Sequence, residues 1–347
     1  MLKRWPVVVA AVAVLAVLTA GALWWRAARS TDLERAVALA PDAADRLSWT
    51  DWAAVRSELD ADLSASSGSS QLEGLLDEGF DADLTSTSAL VESAAVLHER
   101  FGFSPASIDW ELFSQSADGA ELMLQLPDSA DFDEIGDSLE ELGYVRPDDE
   151  EGVWRGGANL LPEIGPELTP ELQYVALDAD DHLVRTSDSA AFLEQALDSD
   201  GEQVEGVDEV VDASGEPLSA AIYTGTHACQ VLAMSEADPS DQDQAGELIA
   251  EAGEVNPVTG FAMSAQPGGD VRVVLSFEND DQAKTNADSR SALAQGPAPG
   301  QGSDFSDRFQ VDSVTADGSV VTLALTPKEG EFVLSDLSTG PVLFATC

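Results

Sequence analysis

Nucleophilic, metal-binding or redox chemistry in this chain has two cysteines and three histidines to draw on, set among 65 acidic residues. The tightest combination is His227-Ala228-Cys229. A catalytic thiolate needs a nearby base, and imidazole supplies one. Such pairs usually meet in space rather than by adjacency, and this thiol has a second use. Cys229 and the C-terminal Cys347 make one pair, which an exported chain joins as a disulfide. That bridge would close the loop from residue 229 to residue 347 and pin the final strand, worth roughly 4–5 kcal/mol through loop-closure entropy. Two buried thiols in a reducing compartment are the alternative.

Metal chemistry has two candidates. Asp178, Asp180 and His182 alternate and could face one ion from a strand, although Asp-rich turn chemistry accounts for the same residues. Asp198-Ser199-Asp200-Gly201-Glu202, with Glu209 in the twelfth position, half resembles a Ca²⁺ loop. The sharp-turn glycine of such a loop belongs at the sixth position, where Gln203 stands, so an acidic inter-element loop is the better reading. His98 follows Leu97 in a helical run and reads as a surface or boundary residue. No dinucleotide fingerprint, Walker loop, nucleophile elbow, His-Glu-x-x-His or Cys-x-x-Cys occurs. Paired carboxylates could hydrolyse a glycoside, but 65 acids single out no two of them. No catalytic residue, metal ligand or cofactor is predicted, Ca²⁺ being the one ion the sequence half-encodes.

The elements that would position these residues follow a recurring pattern of strand, tight turn, strand and helix. The first copy has Ile108 to Phe113, a turn at Asp118-Gly119, Leu122 to Leu126 and a helix over Asp131 to Leu142. The second has Tyr174 to Leu177, Asp180-Asp181, Leu183 to Thr186 and a helix over Ser189 to Leu197. The third has Thr259 to Ala265, Gly268-Gly269-Asp270, Val271 to Phe277 and a helix over Asp281 to Leu293. The fourth has Phe309 to Val314, Asp317-Gly318, Val320 to Leu325 and a helix near Glu331 to Leu337. Asp-Gly and Gly-Gly-Asp supply the positive φ that short hairpins need, and Asp, Ser or Asn after the second strand suits a helix start. Uneven spacing rules out a solenoid. The expectation is an α+β fold of antiparallel hairpins with helices on one face.

Around those copies, Thr31 to Leu39 reads as a capped helix stopped by Pro41, Arg46 to Trp49 as a strand, and Asp51 to Leu63 as a helix. Ser64 to Ser70 is a flexible loop. Helical stripes recur at Leu72, Leu75 and Leu76 and over Ser88 to Phe101. Leu218 to Met234 reads as a strand region and Asp241 to Ala252 as a helix.

Upstream of all this lies an apolar run, Val7 to Leu23, closed by Trp24-Trp25. Seventeen residues at about 1.5 Å rise give roughly 26 Å, close to bilayer thickness. The indoles suit the headgroup interface, so a retained transmembrane helix is expected. A cleaved signal peptide ending at Ala20-Gly21-Ala22 is the rival. Basic residues flank the run evenly, so orientation rests on the large downstream part, placed outside the cytoplasm with the N-terminus inside. Of the 16 basic residues, Lys3, Arg4 and Arg26 belong to this first segment, leaving 13 against all 65 acids. Such a surface repels nucleic acid and anionic lipid. Apolar residues make up 44 %, so the acidity does not signal wholesale disorder.

Ala40-Pro41-Asp42-Ala43-Ala44 followed by Leu47-Ser48-Trp49, and the stretch Tyr174 to Ala191 with His182-Leu183-Val184, resemble a group of actinobacterial membrane-anchored extracytoplasmic proteins. The resemblance implies an anchored outer domain and brings no catalytic residues with it. The resulting organisation is an anchor or signal at 1–26, a membrane-proximal segment at 27–44, and two α+β regions at 45–200 and 201–347. The expected function is non-enzymatic binding or envelope interaction at the cell membrane. Its partners would be the membrane through the N-terminal helix and an envelope protein or small ligand, not nucleic acid. A carboxylate-dependent extracytoplasmic hydrolase and a structural subunit of an envelope complex are the alternatives.

Overall fold

The computed structural model describes residues 30–41, 43–149, 152–198 and 206–347. The apolar run Val7 to Leu23 and most of the candidate Ca²⁺ loop lie outside them. Among the described residues no helix is long and apolar enough to cross a membrane.

The chain is α+β, as the hairpin pattern predicts. In order it forms α1 (Asp32–Ala38), β1 (Arg46–Thr50), α2 (Trp52–Glu58), α3 (Ser69–Asp81), α4 (Ala94–Arg100), β2 (Trp110–Gln115), β3 (Ala120–Gln125) and α5 (Phe132–Leu142). Then come β4 (Val153–Arg155), α6 (Leu161–Ile164), β5 (Tyr174–Asp178), β6 (Leu183–Ser187), α7 (Ala190–Leu197) and α8 (Asp208–Ser214). The remainder is β7 (Ser219–Thr224), α9 (Gly225–Val231), α10 (Pro239–Ala252), β8 (Gly260–Ala265), β9 (Val271–Ser276), α11 (Asp280–Leu293), α12 (Phe305–Arg308), β10 (Phe309–Asp317), β11 (Val320–Pro327) and α13 (Val333–Leu337). Among the described residues eleven strands make one antiparallel sheet in the order β10-β11-β9-β8-β7-β1-β2-β3-β6-β5-β4. All four predicted hairpins are present, as β2–β3, β5–β6, β8–β9 and β10–β11.

The ladders reveal an internal duplication that holds residue by residue. Ser48 pairs with Phe113, Phe113 with Leu122, Leu122 with Thr186, and Thr186 with Val175. In the second half Ala221 pairs with Met263, Met263 with Val273, Val273 with Leu323, and Leu323 with Val314. Ser48 and Ala221 face each other where β1 meets β7, so a pseudo-twofold axis passes between them. Residues 45–200 supply β1 to β6 and residues 201–347 supply β7 to β11, with β4 an extra edge strand of the first half. The hairpin spacing looked irregular because the four copies are two pairs, divided by insertions of unequal length.

Helices were expected on one face, and the structure corrects this. The main core lies on the face bearing Leu122, Val175, Met263 and Leu323, where α2 to α6 and α9 to α13 pack. The opposite face carries Leu47, Trp49, Leu112, Ile222 and Val274. There α1 and α8 cover the sheet centre through Leu33, Val37, Val210 and Val211. Leu193 of α7 covers Val153 and Ala176 nearer the edge. A wide sheet with alternating apolar residues on both faces needs both covered, since exposed apolar surface costs about 25 cal/mol per Å². Three spans are also shorter than expected. The helix from Asp51 stops at Glu58, the one expected from Ser88 begins only at Ala94, and the strand region from Leu218 turns helical at Gly225 because Thr224 caps α9.

Candidate functional site

A cleft of about 730 Å³ opens on the main-core face of the first half. One wall is α5, whose start is fixed by Asp131: its carboxylate accepts from the Asp133 and Glu134 amides. Ile135 and Leu139 turn α5 into the core, and Gly143 at φ 103 ends it. This periodicity leaves Glu134, Asp137, Ser138 and Glu141 along the opening. The facing wall is Gly102, Ala106, Ser107 and Asp109, which lead into β2, and Leu126-Pro127 leaving β3 make the floor. Leu63 to Ser66 form the remaining rim. His98 steadies that rim, its Nε2 lying 2.7 Å from the Ser67 carbonyl and its Nδ1 3.0 Å from Ser104 Oγ. His98, expected as a surface or boundary residue, is half-buried at the boundary and bridges two loops.

Arg56 of α2 is the cationic group lining the cleft. Its Nη1 donates to the Pro105 and Ile108 carbonyls at 2.7 and 2.8 Å, which fixes the loop entering β2. Burial lowers its pKa while Asp109 and Asp51 oppose the shift. Burial likewise raises Asp109, and raises Asp51 to about 6 although Asp51 accepts from the Ala54 amide as the cap of α2. Behind this wall Glu111 is fully buried. One of its oxygens accepts from Trp52 Nε1 at 2.9 Å and Ser88 Oγ at 3.0 Å, the other from the Ala89 amide at 2.8 Å. Burial outweighs these bonds and pushes its pKa to about 7. On the opposite face Glu121 is buried against Arg185, with Nε to Oε1 at 2.5 Å.

In the second half the last six residues are strapped onto the body. Cys229 and Cys347 are joined in a disulfide, with Cα atoms 5.4 Å apart. The Val342 amide donates to the Leu232 carbonyl and the Met234 amide to Thr346 Oγ1. Arg290 of α11 is wholly buried and has no acid among its hydrogen-bond partners. Its guanidinium donates to the carbonyls of Phe344, Thr346 and Asn256 and to Asn286 Oδ1. Burial pulls its pKa to about 9, which leaves it charged at neutral pH.

The predicted site residues part company here. The expected disulfide forms and consumes the Cys229 thiol, which leaves His227 without a neighbouring nucleophile. His227 instead leans on Tyr223, with ring centroids 5.3 Å apart. Asp178 Oδ1 accepts from the Asp180 and Asp181 amides, and His182 sits at φ 55, so a turn organises all of them. His182 Nε2 lies 3.9 Å from Asp128. Among the described residues no three His, Cys, Asp or Glu side chains converge as metal ligands. Sequence reading missed Arg56, Glu111 and Arg290. A Glu amid apolar neighbours in a strand, and an Arg amid small residues in a helix, were the available signals.

No protein-family model and no curated protein matches this chain. A solved structure titled "Structure of crystal form I of TP0453" aligns over 90 % of this chain and 100 % of its own, at 9 % identity and a TM-score of 0.36.

Proposed function

We propose that the protein is a membrane-anchored extracytoplasmic binding protein, non-enzymatic, whose ligand occupies the cleft beside α5. The observation that carries this reading is the cleft itself, walled by the capped, core-anchored α5 and the loop entering β2, and polar along its rim. Sites that hold a ligand are concave, with an apolar floor and a few fixed polar groups. The Cys229–Cys347 bridge supports an oxidising compartment outside the cytoplasm. Val7 to Leu23 would supply the single membrane span, and the likeness to anchored actinobacterial envelope proteins agrees with that placement. An envelope protein or a small molecule is the partner class this reading allows.

Native mass measurement of the full chain, extracted from its own membranes, tests the proposal. The wild type should carry surplus mass that Ser138→Trp, which fills the cleft, lacks. Protease added to intact cells should remove the domain. Bare masses for both proteins, or a domain that survives until lysis, would overturn it. Asp109, a carboxyl on the cleft wall raised by burial, favours a second reading as a carboxylate-dependent hydrolase. Asp109→Asn would then abolish turnover of an envelope glycan without removing bound mass.

A further inference from the structure

The duplication places the cleft and the strapped tail in corresponding positions. Arg56 and Cys229 are each the fifth residue beyond the caps of α2 and α9, Asp51 and Thr224. Ala106 and Asn256 each stand four residues before β2 and β8. Ser138 and Asn286 are each the seventh residue beyond Asp131 and Asn279, the caps of α5 and α11. In the first half these three positions line the open cleft. In the second half Cys229 is covalently joined to the tail, while Asn256 and Asn286 accept from the same guanidinium that holds the tail carbonyls of Phe344 and Thr346. One frame therefore encloses a peptide in one half and leaves the matching space open in the other.

We infer that the first-half cleft receives a short peptide segment from a partner protein, seated as Val342 to Cys347 is seated in the second half, and that this segment carries basic side chains. This rests on the binding reading above and names its ligand class. The charge follows from α5. Glu134, Glu141 and Asp137, which also pairs with Arg146, line the cleft where α11 has Gln282, Thr285 and Ser289, so these three positions are acidic in one half and uncharged in the other. Asp109 faces it from the opposite wall. Lys or Arg on an incoming segment would reach these carboxylates while its backbone lay over Ala106 and Leu126. Arg56 donates to the carbonyls of Pro105 and Ile108 through Nη1, and its charge is offset by Asp109 and Asp51 beside it.

Fluorescence anisotropy with labelled hexapeptides, lysine-rich, glutamate-rich and neutral, on the full chain in detergent tests this. The lysine-rich peptides should bind, and the glutamate-rich ones should not. Glu134→Gln, Asp137→Asn and Glu141→Gln together should weaken that binding about tenfold. Ser138→Trp, which keeps every charge, should weaken it as much. A triple removing the same charge from the second half, Asp243→Asn, Glu247→Gln and Asp288→Asn, should leave it within about twofold. Equal loss in the two triples would mean attraction to the net charge alone and would overturn the inference, as would no binding by any lysine-rich peptide. Surplus native mass that is not polypeptide would sink the peptide inference and leave the binding function standing. Bare mass together with absent peptide binding would sink both.

Discussion

At one matched position of the duplicated ladder the first half buries a carboxylate and the second a phenyl ring. Thr50 pairs with Glu111 where Tyr223 pairs with Phe261. Glu111 holds Trp52, Ser88 and Ala89. Phe261 stacks on Tyr223 with centroids 5.9 Å apart and planes 11° from parallel, and Tyr223 donates its hydroxyl to the Ser338 carbonyl. The same backbone frame thus docks its helices by hydrogen bonds in one half and by aromatic packing in the other. The second half is then closed by its own tail, with a covalent bond and a buried guanidinium. The halves share topology and register but differ in what completes them.

The largest effect should come from the tail clamp. Arg290→Ala strands the carbonyls of Phe344, Thr346 and Asn256 and opens a cavity, a loss of about 4 kcal/mol. Leu142, at the matching position of α5, contributes apolar packing, and Leu142→Ala should cost about 2 kcal/mol. Urea unfolding of the oxidised full chain compares the two. Equal losses would mean the tail is incidental to the second half. Reducing Cys229–Cys347, the covalent part of the same clamp, should cost a comparable amount, roughly 4–5 kcal/mol. Amide exchange should then quicken first at Val342 to Thr346 while α5 stays protected. Uniform quickening would mean the bridge stabilises both halves alike.

Glu111 gives the first half a pH dependence that Phe261 cannot give the second. Its folded pKa of about 7 lies above the ordinary 4.5, so the folded chain binds the proton more tightly. The stability this confers is full below pH 4.5 and is lost as pH rises through 7. Between pH 5 and pH 7 the loss is about 2 kcal/mol. Asp51, raised to about 6, adds in the same direction. Glu111→Gln should flatten most of this slope in urea titrations at each pH, leaving the Asp51 share. An unchanged slope would assign the dependence to surface repulsion among the many acids.

The legible part of the fold was what local chemistry writes: caps such as Asp131 and Ser189, turns such as Asp118-Gly119, and the alternation in Leu122 to Leu126. The disulfide was legible because two cysteines allow one pairing. The duplication was not, since register pairs Ser48 with Ala221 across a long stretch of chain and the matched residues, Glu111 and Phe261 among them, differ in type. The cleft was invisible for a related reason. Its walls come from α2, the loop before β2, and α5, and the sequence shows them as ordinary acidic and serine-rich segments.

The smallest predicted effect concerns the seam between the halves. Asp83, beyond the end of α3, reaches into the second half, and its carboxylate accepts from the Leu334 and Ser335 amides at the start of α13. The residue sits at φ 59, which Asp and Asn tolerate better than alanine does. Asp83→Ala removes the cap and strains the backbone, a loss of about 1 kcal/mol. Asp83→Asn keeps the amide acceptor and the conformation, so it should lose only a few tenths of that. Burial raises the Asp83 carboxyl above its ordinary range even against these bonds, so the neutral amide also escapes part of the desolvation. Amide exchange at Leu334 and Ser335 separates the cases: Ala should speed both, and Asn should leave them close to wild type. If Asn speeds them as much as Ala, the negative charge rather than the acceptor geometry joins the two halves at this point.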